Sequence, residues 1–174
     1  VDVAAELGQL VDQLETENID LHPLTNLVTE NFAAYWLDVL NVLDVVRRQL
    51  PAELESRGMI GPAERRNRLL NAEAARLIAS NPQAPYIAAG STGSIPATAN
   101  LLKAIAQLPN GAVVLPGLDT SLDEESWQKL DPQHPQFGLH ELLEGLGAVR
   151  SDVQTLGICT SPSEARGQLL SETM

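Results

Sequence analysis

Two short stretches hold the residue types from which a site could be built. The first is Gly90, Ser91, Thr92, Gly93 and Ser94. Its spare backbone N–H groups and hydroxyls suit an anion, and a helix starting just beyond would add the positive end of its dipole. The same residues serve equally as a structural turn, because glycine and serine tolerate tight backbone geometry. The run is not a Walker A loop. That pattern sets a lysine directly after the glycines to hold the outer phosphates, whereas the first lysine of this chain is Lys103. Nor is it Gly-x-Gly-x-x-Gly. The second stretch gathers the carboxylates of Asp119, Asp123, Glu124 and Glu125. Carboxylates so close can hold Mg²⁺ through oxygen, or they can cap turns and helix ends. Without a phosphate-binding lysine beside them, capping is the expected role.

The remaining reactive residues are sparse. His134 and His140 flank Pro135 and Gly138, but no Gly-x-Ser-x-Gly elbow is present, which argues against a hydrolase triad. His22 has no nearby His or Cys and reads as a surface histidine. Cys159 is the only cysteine, so neither an intramolecular disulfide nor a cysteine metal cluster forms, and a reducing compartment is expected. Seven of the 11 basic residues (Arg47, Arg48, Arg57, Arg65, Arg66, Arg68 and Arg76) fall between positions 47 and 76. They read as a solvated helix face bridged to Glu53, Glu55, Glu64 and Glu73. The net charge of −12 repels phosphate and argues against an autonomous DNA binder.

These residues need elements to position them. Val3, Leu7, Leu10, Val11 and Leu14 recur at helical spacing, and 15–23 reads as a loop. Residues 31–50 form the strongest helical pattern, with Phe32, Trp36, Val39, Leu43, Val46 and Leu50 in one stripe. On that aliphatic stripe the two aromatics read as core rather than as a base-stacking platform. Pro51 opens a further turn, which Gly58 and Gly61-Pro62 break. A third helix covers 63–80, with Leu69, Leu70, Ala74, Leu77 and Ile78 inward. After a linker at 81–85 the texture changes. Tyr86-Ile87-Ala88-Ala89 is an uncharged strand of the buried parallel kind. A helix over 95–108 follows, with Ser94 as its N-cap and Pro96 in the first turn, and a second strand covers 112–115. Strand–helix–strand in this order is one parallel βαβ unit. It cannot cover both faces of two strands, so further strands are expected from elsewhere in a longer protein or from another chain. Ser121 is expected to cap a short helix through Trp127, and 138–147 reads as an amphipathic helix. Ser161 and Glu164 form a capping box for a last one. No apolar run approaches a membrane span. The chain reads as a segment of a longer protein.

Several phrases occur together in order: Pro-Tyr-Ile-Ala-Ala-Gly-Ser-Thr-Gly-Ser-Ile-Pro-Ala-Thr-Ala-Asn-Leu-Leu from position 85, Gly-Ala-Val-Val-Leu-Pro-Gly-Leu-Asp from 111, Leu-Asp-Glu-Glu-Ser-Trp from 122, and His-Pro-Gln-Phe-Gly-Leu from 134. Together they resemble the AddB subunit of the AddAB helicase–nuclease in its alphaproteobacterial form. Gly-Pro-Ala-Glu-Arg-Arg-Asn-Arg-Leu-Leu from 61 and the closing Leu-Leu-Ser-Glu-Thr-Met also fit that family. The resemblance runs from about Asn31 to the end and is specific over 85–139.

It implies an α/β, mostly helical fold: residues 1–81 as a region resembling helicase subdomain 1B, and 86–174 as a partial RecA-like (P-loop-type) region resembling subdomain 1A. In an active helicase of that type the first strand runs into an Asp-Glu pair that positions Mg²⁺ and the attacking water. Here the corresponding residues are Ala89-Gly90-Ser91, so the resemblance implies a pseudo-helicase segment without ATP hydrolysis. It further implies an AddA-type motor subunit as heterodimeric partner, single-stranded DNA and double-stranded DNA ends as ligands, and a bacterial cytoplasmic location. ATP and Mg²⁺ would belong to the motor, and an iron–sulphur cluster with Mg²⁺ to a nuclease domain outside this segment. Cys159 would not be a cluster ligand, and no cofactor is expected within residues 1–174. Arg65, Arg66 and Arg68 are the candidate DNA contacts, and Gly90, Ser91, Thr92, Gly93 and Ser94 the candidate anion loop. Two rivals remain: a nucleotide- or phosphate-binding enzyme domain using that loop with Asp119, Asp123, Glu124 and Glu125, and a protein-interaction scaffold whose negative charge faces a basic partner.

Overall fold

A computed structural model of the chain describes residues 3–19 and 33–157. The expectations for Phe32, His22, Cys159 and the Ser161 capping box lie outside these residues. The described chain is mostly helical with one small parallel sheet, in the order α1 (Val3–Glu17), α2 (Ala33–Ser56), α3 (Pro62–Ser80), β1 (Tyr86–Ala89), α4 (Pro96–Ala106), β2 (Gly111–Val114), α5 (Glu124–Gln128) and α6 (Phe137–Leu146). A 3₁₀ turn follows at Arg150–Asp152. The chain divides into two units, Val1–Leu69 and Leu70–Met174, so the 81–85 linker falls inside the second.

In the first unit α1 runs past Leu14 to Glu17 and buries Val11. Asn18 ends it in the left-handed region at φ 52°, with the Ile19 amide donating to the Leu14 carbonyl at 3.0 Å. The α2 helix departs from expectation, because Pro51 lies inside it and does not stop it. The apolar pattern continues to Leu54, whose Cδ1 lies 3.9 Å from where a Cβ on Gly61 would stand. The stop is Gly58: at φ 67° it lets the Met59 amide turn back to the Leu54 carbonyl at 2.8 Å, a closure that glycine makes without steric cost. The predicted inward stripe of α2 is only partly covered. Leu40 is buried and Val39, Leu43 and Val46 are half-buried, while Leu50 is exposed. Along α3 the buried positions are Ala63, Ala74 and Leu77. Leu69 and Ile78, expected inward, are 55% and 58% exposed because they flank this narrower buried row.

The second unit is built on the βαβ unit. β1 and β2 pair in parallel, with Tyr86 opposite Gly111 and Ala89 opposite Val114. The α4 helix packs against both strands and against α6. Leu77, Ile105 and Leu108 form the centre of the core, joined by Tyr86, Ala88, Leu101 and Val113. Alternation then sends Ile87, Ala89 and Ala112 to the other face of the sheet. All three are exposed there, Ile87 by 69%.

Candidate functional site

The residues between β1 and α4 form the expected strand–turn–helix, with a different cap. Ile95 occupies the N-cap position and makes no side-chain cap bond, and Pro96 begins the helix. Ser94 is therefore one residue outside the cap and exposed. Proline at the first helical position removes one N–H that would otherwise need a partner, which lowers the demand for a capping hydroxyl. The turn is held internally, since the Ser91 hydroxyl accepts from the Gly93 amide at 3.3 Å. Gly93 answers two constraints. Its φ is +66°, and a Cβ there would stand 2.7 Å from Leu142 Cδ1. The loop is thus seated on α6, and its second glycine is a packing residue.

Beside the loop lies a hollow of 330 Å³ bordered by Gly93, Ser94, Asn100, Lys103, Glu141 and Gly145, among others. The chain's first lysine thus faces the same hollow as the loop, which spacing alone did not reveal. Its position nevertheless differs from that of a phosphate-binding lysine. Lys103 stands seven residues after Pro96, about 10 Å along the helix at 1.5 Å per residue. Glu141 also brings a negative charge to the rim, so an anion in the hollow meets both signs.

The acidic stretch is occupied by local structure. Asp119 Oδ1 accepts from the Ser121 amide at 2.7 Å and the Leu122 amide at 3.1 Å. The cap of α5 is Asp123, not Ser121: Oδ1 accepts from the Ser126 amide at 2.9 Å and Oδ2 from the Ser126 hydroxyl at 2.7 Å. A carboxylate offers two separate acceptor oxygens, where a serine hydroxyl offers one. These bonds from Ser126 hold the Asp123 carboxyl below its usual range. Glu124 accepts from Gln128 at 2.9 Å and from Arg150 at 2.8 Å, and those two bonds, Gln128 first, lower its pKa too. Glu125 pairs with Lys129 at 2.6 Å. Among the described residues no three or more His, Cys, Asp or Glu side chains are gathered as a metal would need.

Arg150 organises this region, and no sequence pattern marked it. Its Nη1 donates to the carbonyls of Leu122 at 2.7 Å and Asp119 at 3.3 Å, and its Nη2 to Glu124. The guanidinium lies 4.6 Å from the centre of the Trp127 ring. Trp127 is buried and meets His140 at 5.2 Å between ring centroids. Gln136 ties the connection from the other side, accepting from the Asp119 amide and donating to the Gly117 carbonyl, both at 3.0 Å. His134 accepts from the Gln136 amide through Nδ1 at 3.1 Å. Both described histidines therefore serve the loop.

Among the described residues four of the seven arginines of the cluster pair with carboxylates. Arg48 bridges Asp44, Arg57 bridges Glu53 and Arg68 bridges Glu64. Arg76 grips Glu73 through two bonds of 2.7 Å, which lowers the Glu73 pKa and raises that of Arg76, with Tyr86 adding to the latter. Among the described residues the expected partner Glu55 takes no part in these pairs, whereas Asp44 does. Of the three candidate DNA contacts, Arg66 donates to the Thr16 hydroxyl, Arg68 is bridged, and the Arg65 side chain has no partner among the described residues. Exposed pairs of this kind contribute little stability each.

Comparison with protein-family models, curated proteins and solved structures finds no match to this chain.

Proposed function

We propose that the chain is a non-catalytic pseudo-helicase segment of a DNA double-strand-break repair helicase–nuclease subunit of the AddB kind, engaging single-stranded DNA and an AddA-type motor subunit. The observation that carries this reading is a strand–Gly/Ser turn–helix lacking the charges of a motor. Where the resemblance places an Asp-Glu pair, the strand ends in Ala89-Gly90-Ser91. The first lysine stands about 10 Å down the helix, too far to serve a phosphate at its N-terminus. On this reading residues 86–174 are a partial RecA-like region and residues 1–81 a 1B-like region in a bacterial cytoplasmic protein. ATP, Mg²⁺ and an iron–sulphur cluster belong to the motor and nuclease parts. Among the described residues no helix is long and apolar enough to cross a membrane.

The test is ATP turnover and binding of a fluorescent single strand by the 174-residue chain. The expected result is no turnover, with weak DNA binding that falls steeply with salt and is reduced by Arg65→Glu. Robust ATPase activity overturns the reading.

A further inference from the structure

Of the nine asparagines in the chain, only Asn110 precedes a glycine. In such a pair the backbone nitrogen of the second residue can attack the carboxamide of the first, and glycine sets no Cβ in the way of the ring that forms. Each of the other eight is followed by a residue with a side chain, and Pro82 after Asn81 has no N–H to give up.

The fold holds the two reacting groups on different partners. Asn110 is exposed, so water and base reach it. Its Nδ2 donates to the Gln83 carbonyl at 2.8 Å, which ties the carboxamide to the linker before β1. The Gly111 amide donates to the Leu108 carbonyl at 3.1 Å and so keeps the proton that attack must release. The Asn110 carbonyl in turn accepts from the Tyr86 amide at 3.1 Å. Attack therefore waits on a local opening that breaks the bonds to Gln83 and Leu108.

The chemistry needs only water. Base removes the Gly111 amide proton, the nitrogen bonds to Asn110 Cγ, and the Cγ–Nδ2 bond breaks with release of ammonia. Water then opens the succinimide. Addition at Cγ leaves an aspartyl residue, and addition at the main-chain carbonyl carbon leaves an isoaspartyl residue. Nothing is oxidised or reduced. In the isoaspartyl product the main chain runs through Cβ and Cγ, longer by one methylene, about 1.5 Å. The former Asn110 carbonyl becomes a free carboxylate, and the Tyr86 amide loses its acceptor. Gly111 has no room to take up the added length against α4, since even a Cβ would stand 1.8 Å from the Ile105 carbonyl oxygen.

We propose that Asn110–Gly111 is a site of spontaneous covalent modification, gated by opening of the contacts to Gln83 and Leu108, whose isoaspartyl product prevents β2 from resuming its register with β1. The fold thereby carries a clock that records how often this junction opens. This inference is independent of the repair reading.

The test uses the 174-residue chain, aged at mildly alkaline pH both folded and in urea above its unfolding midpoint. Conversion is followed by peptide mapping with fragmentation that separates aspartyl from isoaspartyl residues. The expected rate in the folded chain is about a hundredfold below that in urea, two hydrogen bonds at about tenfold each. In the isoaspartyl fraction, returned to native buffer, amide exchange at Tyr86 and Gly90 is expected to be at least about tenfold faster than in unaged chain. An Asn110→Ser chain aged in the same way keeps the exchange it had before ageing. Four results overturn the proposal: equal rates in the folded and unfolded chain, conversion led by another asparagine, an isoaspartyl fraction with unchanged exchange at Tyr86 and Gly90, or loss of protection in Asn110→Ser on the same schedule. The first and third need only the parent chain, so they decide the matter even if Asn110→Ser folds poorly.

Discussion

Gly111 tests the packing argument most directly. It opens β2 opposite Tyr86, and its amide donates to the Leu108 carbonyl at 3.1 Å. A Cβ at this position would stand 1.8 Å from the Ile105 carbonyl oxygen, 2.9 Å from its carbon and 3.1 Å from Leu108 Cβ. Carbon and carbonyl oxygen rest about 3.3 Å apart even in close contacts, so Gly111→Ala requires a displacement of about 1.5 Å. The obstacle is backbone, and no side-chain rotation relieves it. Either the end of α4 shifts out of the Leu77–Ile105–Leu108 core or β2 slides from its register with β1. Overpacking of this kind costs about 1–3 kcal/mol, and each ladder bond lost adds about 1 kcal/mol. With one ladder bond lost the expected loss is about 2–4 kcal/mol, a large part of a small domain's stability. The assay is urea unfolding in a Trp36→Phe background, so that Trp127 alone reports the second unit. The control is Gly138→Ala, in the first turn of α6, where a Cβ meets nothing within 4 Å. That change is expected to be neutral or stabilising by up to about 1 kcal/mol. A Gly111→Ala protein within about 0.5 kcal/mol of the parent would refute the reasoning.

Two further outcomes follow from the site. Arg150→Gln removes the cation from Trp127 and frees the Leu122 carbonyl. It is expected to red-shift Trp127 emission and cost about 2–3 kcal/mol, and Arg150→Lys does not restore either property, because an ammonium cannot lie flat on the ring while reaching separate acceptors. In the first unit, burial and then the charges of Asp12 and Glu64 raise the Glu15 pKa above its ordinary 4.5. A raised carboxyl contributes stability below its unfolded value and loses it as pH rises through the folded one. Glu15→Gln is thus expected to raise the thermal midpoint at neutral pH, with the gain vanishing below pH 4.5. Asp123 and Glu124, whose pKa values are lowered, behave oppositely: their contribution is present at neutral pH and fades in acid. A midpoint difference for Glu15→Gln that is unchanged between neutral and acid pH would count against the assignment.

Much of the second unit was legible in the linear order of residues. Tyr86–Ala89 is an uncharged run bounded by Pro85 and Gly90, and such a run has few alternatives to a strand. The α6 leucines repeat at helical spacing, and Leu139, Leu142 and Leu143 are buried as that spacing requires. The competing roles of the acidic stretch were legible too, as carboxylates near helix starts are natural caps. Their assignment was not. Whether Asp123 or Ser121 caps α5 depends on which residue the chain presents at the turn. The end of α2 was misplaced because a local rule about Pro51 yielded to an apolar pattern continuing to Leu54.

Local chemistry by itself therefore determined the strand–turn–helix at 86–106, the absence of lysine from its glycine turn, and the negative charge of the chain. These depend on residues adjacent in sequence or simply counted. Tertiary structure decided the rest. It turned Gly93 from a flexible turn residue into one pressed on Leu142, and Gly111 from a turn signal into a contact with the Ile105 carbonyl. It also brought Arg150 back across 28 residues to Leu122. Each depends on atoms far apart in the chain meeting within a few ångströms, a distance that no periodicity encodes.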